Sequence, residues 1–325
     1  MSLSVVFFGT PSFAVPSLLK LTQFHNVVAV VSQPDKPKGR GKHLLPTAVK
    51  EAATELDIPV YQPASVKDPE FINQMKELGE IDLFVTAAYG QIFPQELLDL
   101  PRLGCINVHG SLLPKYRGAA PIQWAILNGE TQAGITIMYM EKGLDSGDII
   151  LQSQLEIEDM ETYGSLYTKL AHLGADTLVA ACNLLSAGTQ NPIKQNPDEV
   201  TYASLINKDM AQIDWKLSSS QIVNQIRAYN PTPVAFSFLN GKMMKIWQAS
   251  EVIGYDAGGA PGQIVTIDKK QGIVVKTGDG AIILREVQEK GGKKMSCADY
   301  LRGHNVQIGE IFQYLIPITV NLRVK

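Results

Sequence analysis

The sequence predicts an α/β protein of two domains, in which a mostly parallel sheet is followed by a smaller antiparallel β-barrel. Three observations lead to this fold class. The chain has 325 residues, more than one hydrophobic core usually serves. Its first 155 residues alternate short apolar runs with helical patterns, which is typical of a parallel sheet with crossover helices. The last third instead has short strands separated by turns, as small barrels do.

Six short apolar runs are the candidate strands of the first domain. Two of them, SVVFF and NVVAVV, are continuous enough to be buried on both faces of a sheet. In chain order the six are Val5 to Phe8, Val27 to Val31, Ile81 to Ala87, Ile106 to Val108, Ile135 to Met140 and Ile149 to Leu155.

The clearest helical pattern lies near the end of this domain. Gly188 stands just after it, where a glycine that terminates a helix is expected. The apolar face, with its 3.6-residue period, would carry Leu166, Leu170, Leu173, Cys182 and Leu185.

A segment rich in Asn, Pro, Gln and Thr follows this helix. It has no apolar periodicity, which is typical of a linker. We therefore expect a first domain over residues 1–189, a linker over 190–208 and a second domain over 209–325.

The second domain begins with one predicted helix, about Ser218 to Arg227. Asn240-Gly241 is a strong signal for a two-residue hairpin turn. The short strands on either side of such turns predict an antiparallel barrel. They are Val234 to Leu239, Lys245 to Ser250, Gln263 to Ile267, Gly272 to Lys276 and Ala281 to Val287.

Composition limits the class of protein. Hydrophobic residues make up 45% and charged residues 19% of the chain, as in ordinary water-soluble proteins. The N-terminal apolar run is too short for a signal peptide or a membrane span. The three cysteines are far apart and never in a Cys-x-x-Cys pair, so neither a disulfide framework nor a zinc site is indicated. We expect a cytoplasmic protein with no metal, no membrane contact and a monomeric state.

Charge is distributed unevenly along the chain. Residues 1–208 hold 15 Lys and Arg against 22 Asp and Glu, whereas residues 209–325 hold 14 against 10. The net charge is therefore −7 in the first part and +4 in the second. Such asymmetry indicates contact with a polyanion such as nucleic acid, or simply two differently solvated surfaces.

The glycine patterns disfavour a nucleotide cofactor. After the first strand only Gly9 is present, whereas a dinucleotide fingerprint needs three spaced glycines. The run Gly39-Arg40-Gly41-Lys42 is followed by His43, so it lacks the spacing of an ATP-binding phosphate loop. Neither NAD nor ATP is expected.

A basic loop runs from Gln33 to Pro46 and carries Lys36, Lys38, Arg40 and Lys42 between prolines and glycines. Pro and Gly prevent a regular helix here, so we expect a mobile loop. Its cations could reach the phosphates of a long partner. The alternative is an ordinary solvated surface loop.

The segment around Asn107 and His109 is the richest in chemical groups. Both residues alternate with Val108, so both side chains point to one side of a strand. That strand ends at Gly110, where open α/β sheets bind their ligands. An amide donor beside an imidazole suits stabilisation of negative charge on a carbonyl oxygen, as in acyl or formyl transfer. Structural roles, a hydrogen-bonded histidine and a turn-capping asparagine, are the alternative.

Two carboxylates lie in a glycine-flanked loop between predicted strands. Asp145 and Asp148 belong to the run KGLDSGDII. Each could simply stabilise a turn. A carboxylate beside an imidazole would instead orient the ring, and the spacing alone does not show that Asp145 reaches His109.

Three segments together resemble the folate-dependent formyltransferase family. They are GTPSFA at 9–14, NVHGSLLP at 107–114 and GLDSGD at 143–148. The resemblance implies that Asn107, His109 and Asp145 form a catalytic trio. The basic loop and the stretch IDWKLSSSQIVNQIRAYNPTPVAF narrow it to the members that formylate methionyl-tRNA.

The resemblance also implies a Rossmann-like first domain and an OB-like barrel. It implies 10-formyltetrahydrofolate as co-substrate and initiator methionyl-tRNA as partner, with transfer serving translation initiation. The tRNA would be held by the barrel and by the basic loop, hence by Lys36, Lys38, Arg40 and Lys42. Folate would contact Ser111, Leu112, Leu113 and Pro114 and a crevice beside Ala88, Tyr89, Gly90, Gln91 and Ile92.

Three other functions compete with this interpretation. A formyltransferase acting on a small amine would share the folate chemistry but would not need the basic loop. A non-catalytic RNA-binding protein would not need the trio. A dehydrogenase on a Rossmann-like sheet would need the missing glycines.

Overall fold

The structure is a computed structural model that describes residues 2–38, 43–255 and 258–314. The side chains of Lys38 and His43 are not among the described parts. The chain divides into two compact units. The first comprises Met1–Ile122, Thr131–Ile157 and Ser165–Leu205. The second comprises Gln123–Glu130, Glu158–Gly164 and Ile206–Lys325. The predicted domain and linker boundaries stay predictions.

A seven-stranded sheet forms the centre of the first unit. The strands are β1 (Ser4–Gly9), β2 (Asn26–Val31), β5 (Val60–Tyr61), β6 (Leu83–Ala87), β7 (Cys105–His109), β9 (Gln132–Tyr139) and β10 (Ile149–Glu156). Their order across the sheet is β10-β9-β7-β6-β1-β2-β5. The six predicted strands are confirmed within a few residues at their ends.

Strand direction is parallel over most of this sheet. Across the sheet, the neighbouring strands β5, β2, β1, β6 and β7 all run parallel. Strand β9 is antiparallel to β7, and β10 is antiparallel to β9. The mostly parallel sheet is therefore confirmed, and its last two strands depart from the crossover pattern. The apolar runs could not predict this, because burial on both faces gives no information on direction.

Within the described residues, eight α-helices accompany the strands. Four of them begin with a side-chain cap: α2, α3, α7 and α8, whose capping residues are Thr47, Asp68, Ser218 and Ser296. The eight are α1 (Val15–Phe24), α2 (Ala48–Glu55), α3 (Pro69–Glu77), α4 (Gln95–Leu98), α5 (Pro121–Leu127), α6 (Tyr163–Ala187), α7 (Ser219–Ala228) and α8 (Cys297–Gly303).

Helix α6 packs closely against the sheet. A Cβ atom added at Gly174 would lie 3.1 Å from Cγ1 of Val108, so a glycine permits this approach. Gly188 follows the helix with φ +67°, as a terminating glycine does. By length and composition α6 could cross a membrane, but 56% of its most apolar window is buried inside the protein, as in a core helix.

The described part of the basic loop contains a short hairpin. Strand β3 (Lys36–Lys38) pairs antiparallel with β4 (His43–Leu45). These residues form no helix, as expected, and the short ladder is a feature that the sequence did not predict. The mobility of the loop stays a prediction. Residues 39–42, with Arg40 and Lys42, lie outside the described residues.

A second short ladder joins distant parts of the first unit. Strand β8 (Arg117–Gly118) pairs parallel with β11 (Tyr202–Ala203). The residues between α6 and β11 thus return to the turn that follows β7.

The second unit contains an antiparallel barrel of the OB-like type. Residues 311–313 bridge both edge strands, at Phe238 and at Gln263, and so close the sheet. Asn240 and Gly241 both have positive φ, +52° and +74°, which confirms the predicted hairpin turn. The strand order is β12-β13-β16-β15-β14, with β17 on β16: β12 (Phe236–Leu239), β13 (Lys242–Glu251), β14 (Ile264–Asp268), β15 (Gly272–Lys276), β16 (Ala281–Glu289) and β17 (Met295–Ser296).

Candidate active site

Asn107 and His109 end strand β7 on the face opposite to α6. Val108 between them points to α6, as its closeness to Gly174 shows. The side chain of His109 is only 5% exposed. The alternation in the sequence therefore brings the amide and the imidazole to one side of the sheet, at the carboxyl end of a parallel strand.

The amide of Asn107 is oriented by the neighbouring strand. Thr86 of β6 lies beside Asn107 in the sheet, and its hydroxyl donates to Oδ1 over 2.7 Å. Among the residues that the structure describes, Nδ2 of Asn107 has no hydrogen-bond partner. The donor end of the amide is thus left for a ligand.

The imidazole of His109 lies between a carbonyl and a carboxylate. Its Nε2 is 2.9 Å from the carbonyl oxygen of Tyr116. A carbonyl can only accept, so Nε2 carries the hydrogen. The other nitrogen, Nδ1, lies 3.7 Å from Oδ2 of Asp145. The ring therefore has one nitrogen held by the backbone and one that faces the carboxylate.

Asp145 is placed by the turn between β9 and β10. Its backbone has φ +48°, an uncommon conformation for a residue other than glycine. Oδ2 accepts a hydrogen bond from the backbone N–H of Gly118 over 2.9 Å. Asp148 contributes its backbone carbonyl, which accepts from the N–H of Tyr139. Of the two predicted carboxylates, Asp145 is the one beside His109.

Residues Ser111 to Pro114 follow β7 and are fixed to β9 and β10. The hydroxyl of Thr136 donates to the carbonyl of Ser111 over 2.7 Å and accepts from the N–H of Leu113. The amide of Gln152 donates to the carbonyl of Leu113 over 2.9 Å. The Ser111 hydroxyl donates to the carbonyl of Lys115. This segment is therefore rigidly held beside the end of β7.

The segment Ala88 to Ile92 follows β6 and presents backbone rather than aromatic groups. Ala88 and Gly90 have φ +48° and +87°. The Tyr89 ring is 4% exposed and packs against Phe8 at 5.5 Å between ring centroids, and burial raises the pKa of its hydroxyl. Ile92 is 70% exposed.

Side-chain contacts also fix this segment at both ends. The carbonyl of Tyr89 accepts from the side-chain amide of Gln33 over 3.1 Å. Oε1 of Gln91 accepts from the N–H of Val66 over 2.9 Å. The Tyr89 side chain therefore belongs to the core, and the outer surface of the segment is formed by its neighbours.

The root of the basic loop carries a compact polar cluster. Asp35 accepts from Lys50 over 2.6 Å and from Gln62 over 2.7 Å. Gln62 in turn accepts from Lys50 and donates to the carbonyl of Gln33. The hydrogen bond from Gln62, followed by that from Lys50, lowers the pKa of Asp35. Lys36, the first cation of the loop, is exposed just beyond this cluster.

Sequence reasoning missed the residues that orient the site. Thr86, Thr136 and Gln152 each lie in a strand and hydrogen-bond a predicted site segment. Their signal was a polar residue inside an otherwise apolar strand. Across the described ranges, no group of three or more His, Cys, Asp or Glu side chains is arranged to hold a metal ion.

Comparison with known proteins shows the family to which the chain belongs. A profile of the Formyl transferase family matches residues 2–182, and a profile of the Formyl transferase C-terminal domain matches residues 205–305. A methionyl-tRNA formyltransferase of Ruminiclostridium cellulolyticum is 48% identical over 310 residues, covering 95% of this chain and 99% of its own length. One of Caldanaerobacter subterraneus is 47% identical over 311 residues, covering 95% and 99%.

Solved structures share the fold at low sequence identity. The N-formyltransferase from Helicobacter canadensis, in complex with folinic acid and dTDP-3-aminofucose, matches with a TM-score of 0.61 and 23% identity, over 87% of this chain and 99% of its own. HypX from Aquifex aeolicus in complex with tetrahydrofolic acid matches with a TM-score of 0.62 and 17% identity. That match covers 97% of this chain, which spans about half (51%) of HypX. The chain belongs to the formyl transferase family, and within it to the methionyl-tRNA formyltransferases.

Proposed function

We propose that the chain transfers the formyl group of 10-formyltetrahydrofolate to the α-amino group of initiator methionyl-tRNA, the reaction that prepares this tRNA for translation initiation. The observation that carries the proposal is the meeting of three side chains. Asn107 and His109 lie in β7, and Asp145, from the turn between β9 and β10, has its carboxylate 3.7 Å from the imidazole. The family membership of both parts of the chain supports it.

The chemistry requires stabilisation of one negative charge and movement of one proton. The amine attacks the formyl carbon, and the carbonyl oxygen becomes negative in the tetrahedral intermediate. The bond from this carbon to N10 of the folate then breaks. The proton lost by the amine is finally taken up by that leaving nitrogen, which gives N-formylmethionyl-tRNA and tetrahydrofolate.

Asn107 and His109 are assigned to the developing oxyanion. Nδ2 of Asn107 is the donor end of an amide whose oxygen is occupied by Thr86. Because Nε2 of His109 is held by the Tyr116 carbonyl, Nδ1 is the ring nitrogen that faces the developing oxyanion. Losing one such donor typically costs about 3 kcal/mol of barrier, or roughly a hundredfold in rate.

Asp145 is assigned to the orientation of the ring and to the amine proton. Its carboxylate lies 3.7 Å from Nδ1 and is 15% exposed, so it lies beside the imidazole and can orient it. The hydrogen bond from Gly118 keeps the carboxylate in place. A carboxylate in this position can also accept a proton from the attacking amine.

Binding of the two substrates is assigned to separate surfaces. Folate is expected along Ser111 to Pro114 and Ala88 to Ile92, two segments that the hydrogen bonds of Thr136, Gln152 and Gln33 hold in place. The tRNA is expected on the basic loop and on the barrel. The proposal includes a cytoplasmic location and a monomeric state. Light scattering after size-exclusion chromatography would test the monomeric state.

The deciding experiment is formyl transfer from 10-formyltetrahydrofolate to charged initiator tRNA. We expect turnover by the wild type and a loss of roughly a hundredfold or more in kcat for His109→Ala. His172→Ala is the matched control, since His172 is exposed on α6, and it should turn over normally. Transfer to a small amine, but not to the charged tRNA, by the folded wild type would overturn the choice of acceptor.

A further inference from the structure

The residues that follow α6 form a segment that returns to the candidate active site. This return segment, residues 193–203, begins with a bridge between Ile193 and Ile149 of β10. It ends with β11, which pairs with β8. Between these points it contacts both the turn that carries Asp145 and the turn that follows His109.

Gln195 is the centre of the first contact. Its Nε2 donates to the carbonyl of Asp145 over 2.9 Å and to the carbonyl of Gly147 over 2.8 Å. Its Oε1 accepts from Nε and Nη2 of Arg117 over 3.0 and 2.7 Å. Both amide hydrogens and the oxygen are therefore used, and the amide connects the Asp145 turn with β8. The turn needs such support, since Asp145 has φ +48°.

Thr201 is the centre of the second contact. Its hydroxyl oxygen accepts from the N–H of Tyr116, and its carbonyl accepts from the N–H of Arg117, both over 2.9 Å. Gly118 has φ +119°, and a Cβ atom there would lie 2.8 Å from the carbonyl oxygen of Ala203. Glycine thus allows the two backbones to approach, and residues 116–118 are fixed along their length.

These fixed residues are the ones that hold the imidazole and the carboxylate. The carbonyl of Tyr116 accepts from Nε2 of His109 over 2.9 Å. The N–H of Gly118 donates to Oδ2 of Asp145 over 2.9 Å. The same three-residue turn therefore sets the position of both groups, and the return segment sets the position of the turn.

We infer that Gln195 is a positioning residue for the transfer reaction, assisted by Thr201. Gln195 holds the backbone of Asp145 and, through Arg117, the turn that orients His109. This inference rests on the proposed function of those two residues. Because a displacement of about 1 Å at a reacting group can cost roughly a hundredfold in rate, loss of this support should affect kcat more than substrate binding.

The first test compares two substitutions of Gln195 with a control in the same segment. Gln195→Leu removes all four hydrogen bonds. Gln195→Glu keeps the size and the pairing with Arg117 but cannot donate to the carbonyls of Asp145 and Gly147. Both should lower kcat roughly 10-fold to 100-fold, with KM for folate and for tRNA changed less than about twofold. Asp198→Ala, at an exposed position, should leave both constants unchanged.

A double-mutant cycle separates positioning from general destabilisation. In an Asp145→Asn background, Gln195→Leu should lower kcat by a clearly smaller factor than in the wild-type background, because the part of its effect that acts through the Asp145 carboxylate has already been removed. An undiminished effect in that background, or equal kcat for Gln195→Glu and the wild type, would overturn the inference.

An NMR measurement decides the inference independently of the activity. Long-range ¹⁵N–¹H spectra report the two ring nitrogens of each histidine, and His109→Ala identifies the signal of His109. We expect this signal to move in Gln195→Leu and to stay unchanged in Asp198→Ala. An unmoved signal would contradict the inference even if the wild type formylated a different acceptor, whereas a moved signal with no tRNA formylation would contradict only the proposed acceptor.

Discussion

The hydroxyl of Thr86 donates to Oδ1 of Asn107 over 2.7 Å, between adjacent parallel strands. This contact determines which end of the Asn107 amide faces the site. A threonine on β6, 21 residues earlier in the chain, therefore determines that Asn107 presents a hydrogen-bond donor, and not an acceptor, to the site.

Replacing Thr86 by valine should weaken formyl transfer without a large loss of stability. The substitution keeps the branched shape but removes the hydroxyl, so the Asn107 amide can rotate. A neutral hydrogen bond contributes about 1 kcal/mol, and we expect kcat to fall roughly 5-fold to 10-fold. Single-turnover kinetics with bound folate would measure this. Thr177→Val removes another buried hydroxyl, bonded within α6, and should turn over as the wild type does; equal rates for both variants would contradict the role of Thr86.

Removing the cations of the basic loop should weaken binding of tRNA. In the triple variant Lys36→Ala, Lys38→Ala and Arg40→Ala, we expect a higher KM for tRNA and a smaller dependence of this KM on salt. Each lost phosphate contact lowers the slope of log affinity against log salt by about 0.7 to 0.9. Steady-state kinetics between low and moderate salt would measure the slope. Lys67→Ala is an exposed control in the same unit, and an unchanged KM in the triple variant would favour a small-amine acceptor.

The root of the basic loop should become less stable in acid. Hydrogen bonds from Gln62 and Lys50 lower the pKa of Asp35 from its ordinary value of 3.8. A lowered carboxyl pKa stabilises the fold above the ordinary value, and this contribution is lost as pH falls below 3.8 through the folded-state value. The difference in unfolding free energy between the wild type and Asp35→Asn should therefore be constant near neutrality and shrink in acid. Urea unfolding across this range tests it, with Asp57→Asn as control; a difference independent of pH would contradict the role of the cluster.

The three cysteines should be unreactive in the native protein. All three are buried, and burial raises the pKa of Cys182 and of Cys297 to about 12 and that of Cys105 further. The thiols are thus protonated at neutral pH and are poor nucleophiles. We expect slow reaction with Ellman's reagent in buffer and fast reaction in guanidinium chloride. Cys105→Ala should keep kcat within about threefold, because Cys105 fills space in the buried apolar cluster with Phe84 and Leu97; a large loss would contradict this.

Local sequence patterns predicted the elements and one face of the site. Continuous apolar runs gave the strands of the sheet, and Asn240-Gly241 gave a turn in which both residues have positive φ. The alternation of Asn107, Val108 and His109 placed two polar groups on one side of a strand. These predictions succeed because side-chain directions repeat every two residues in a strand and about every 3.6 residues in a helix. This repeat is a property of the local backbone and does not depend on tertiary contacts.

Only the tertiary structure determined which distant residues complete the site. The antiparallel strand β9, which the apolar pattern could not distinguish from a parallel one, ends beside Ile106 near the start of β7. Asp145 reaches His109 because the turn after β9 brings its carboxylate to the N–H of Gly118, in the turn that follows β7. Gln195 and Thr201 lie in the predicted linker, and they hydrogen-bond residues 78 and 85 positions away in the chain. Periodic patterns and short motifs thus predict the elements and the family resemblance, whereas the geometry of the site depends on contacts between remote segments. Such contacts form when strands and turns pack together, and they leave no periodic signal in the chain.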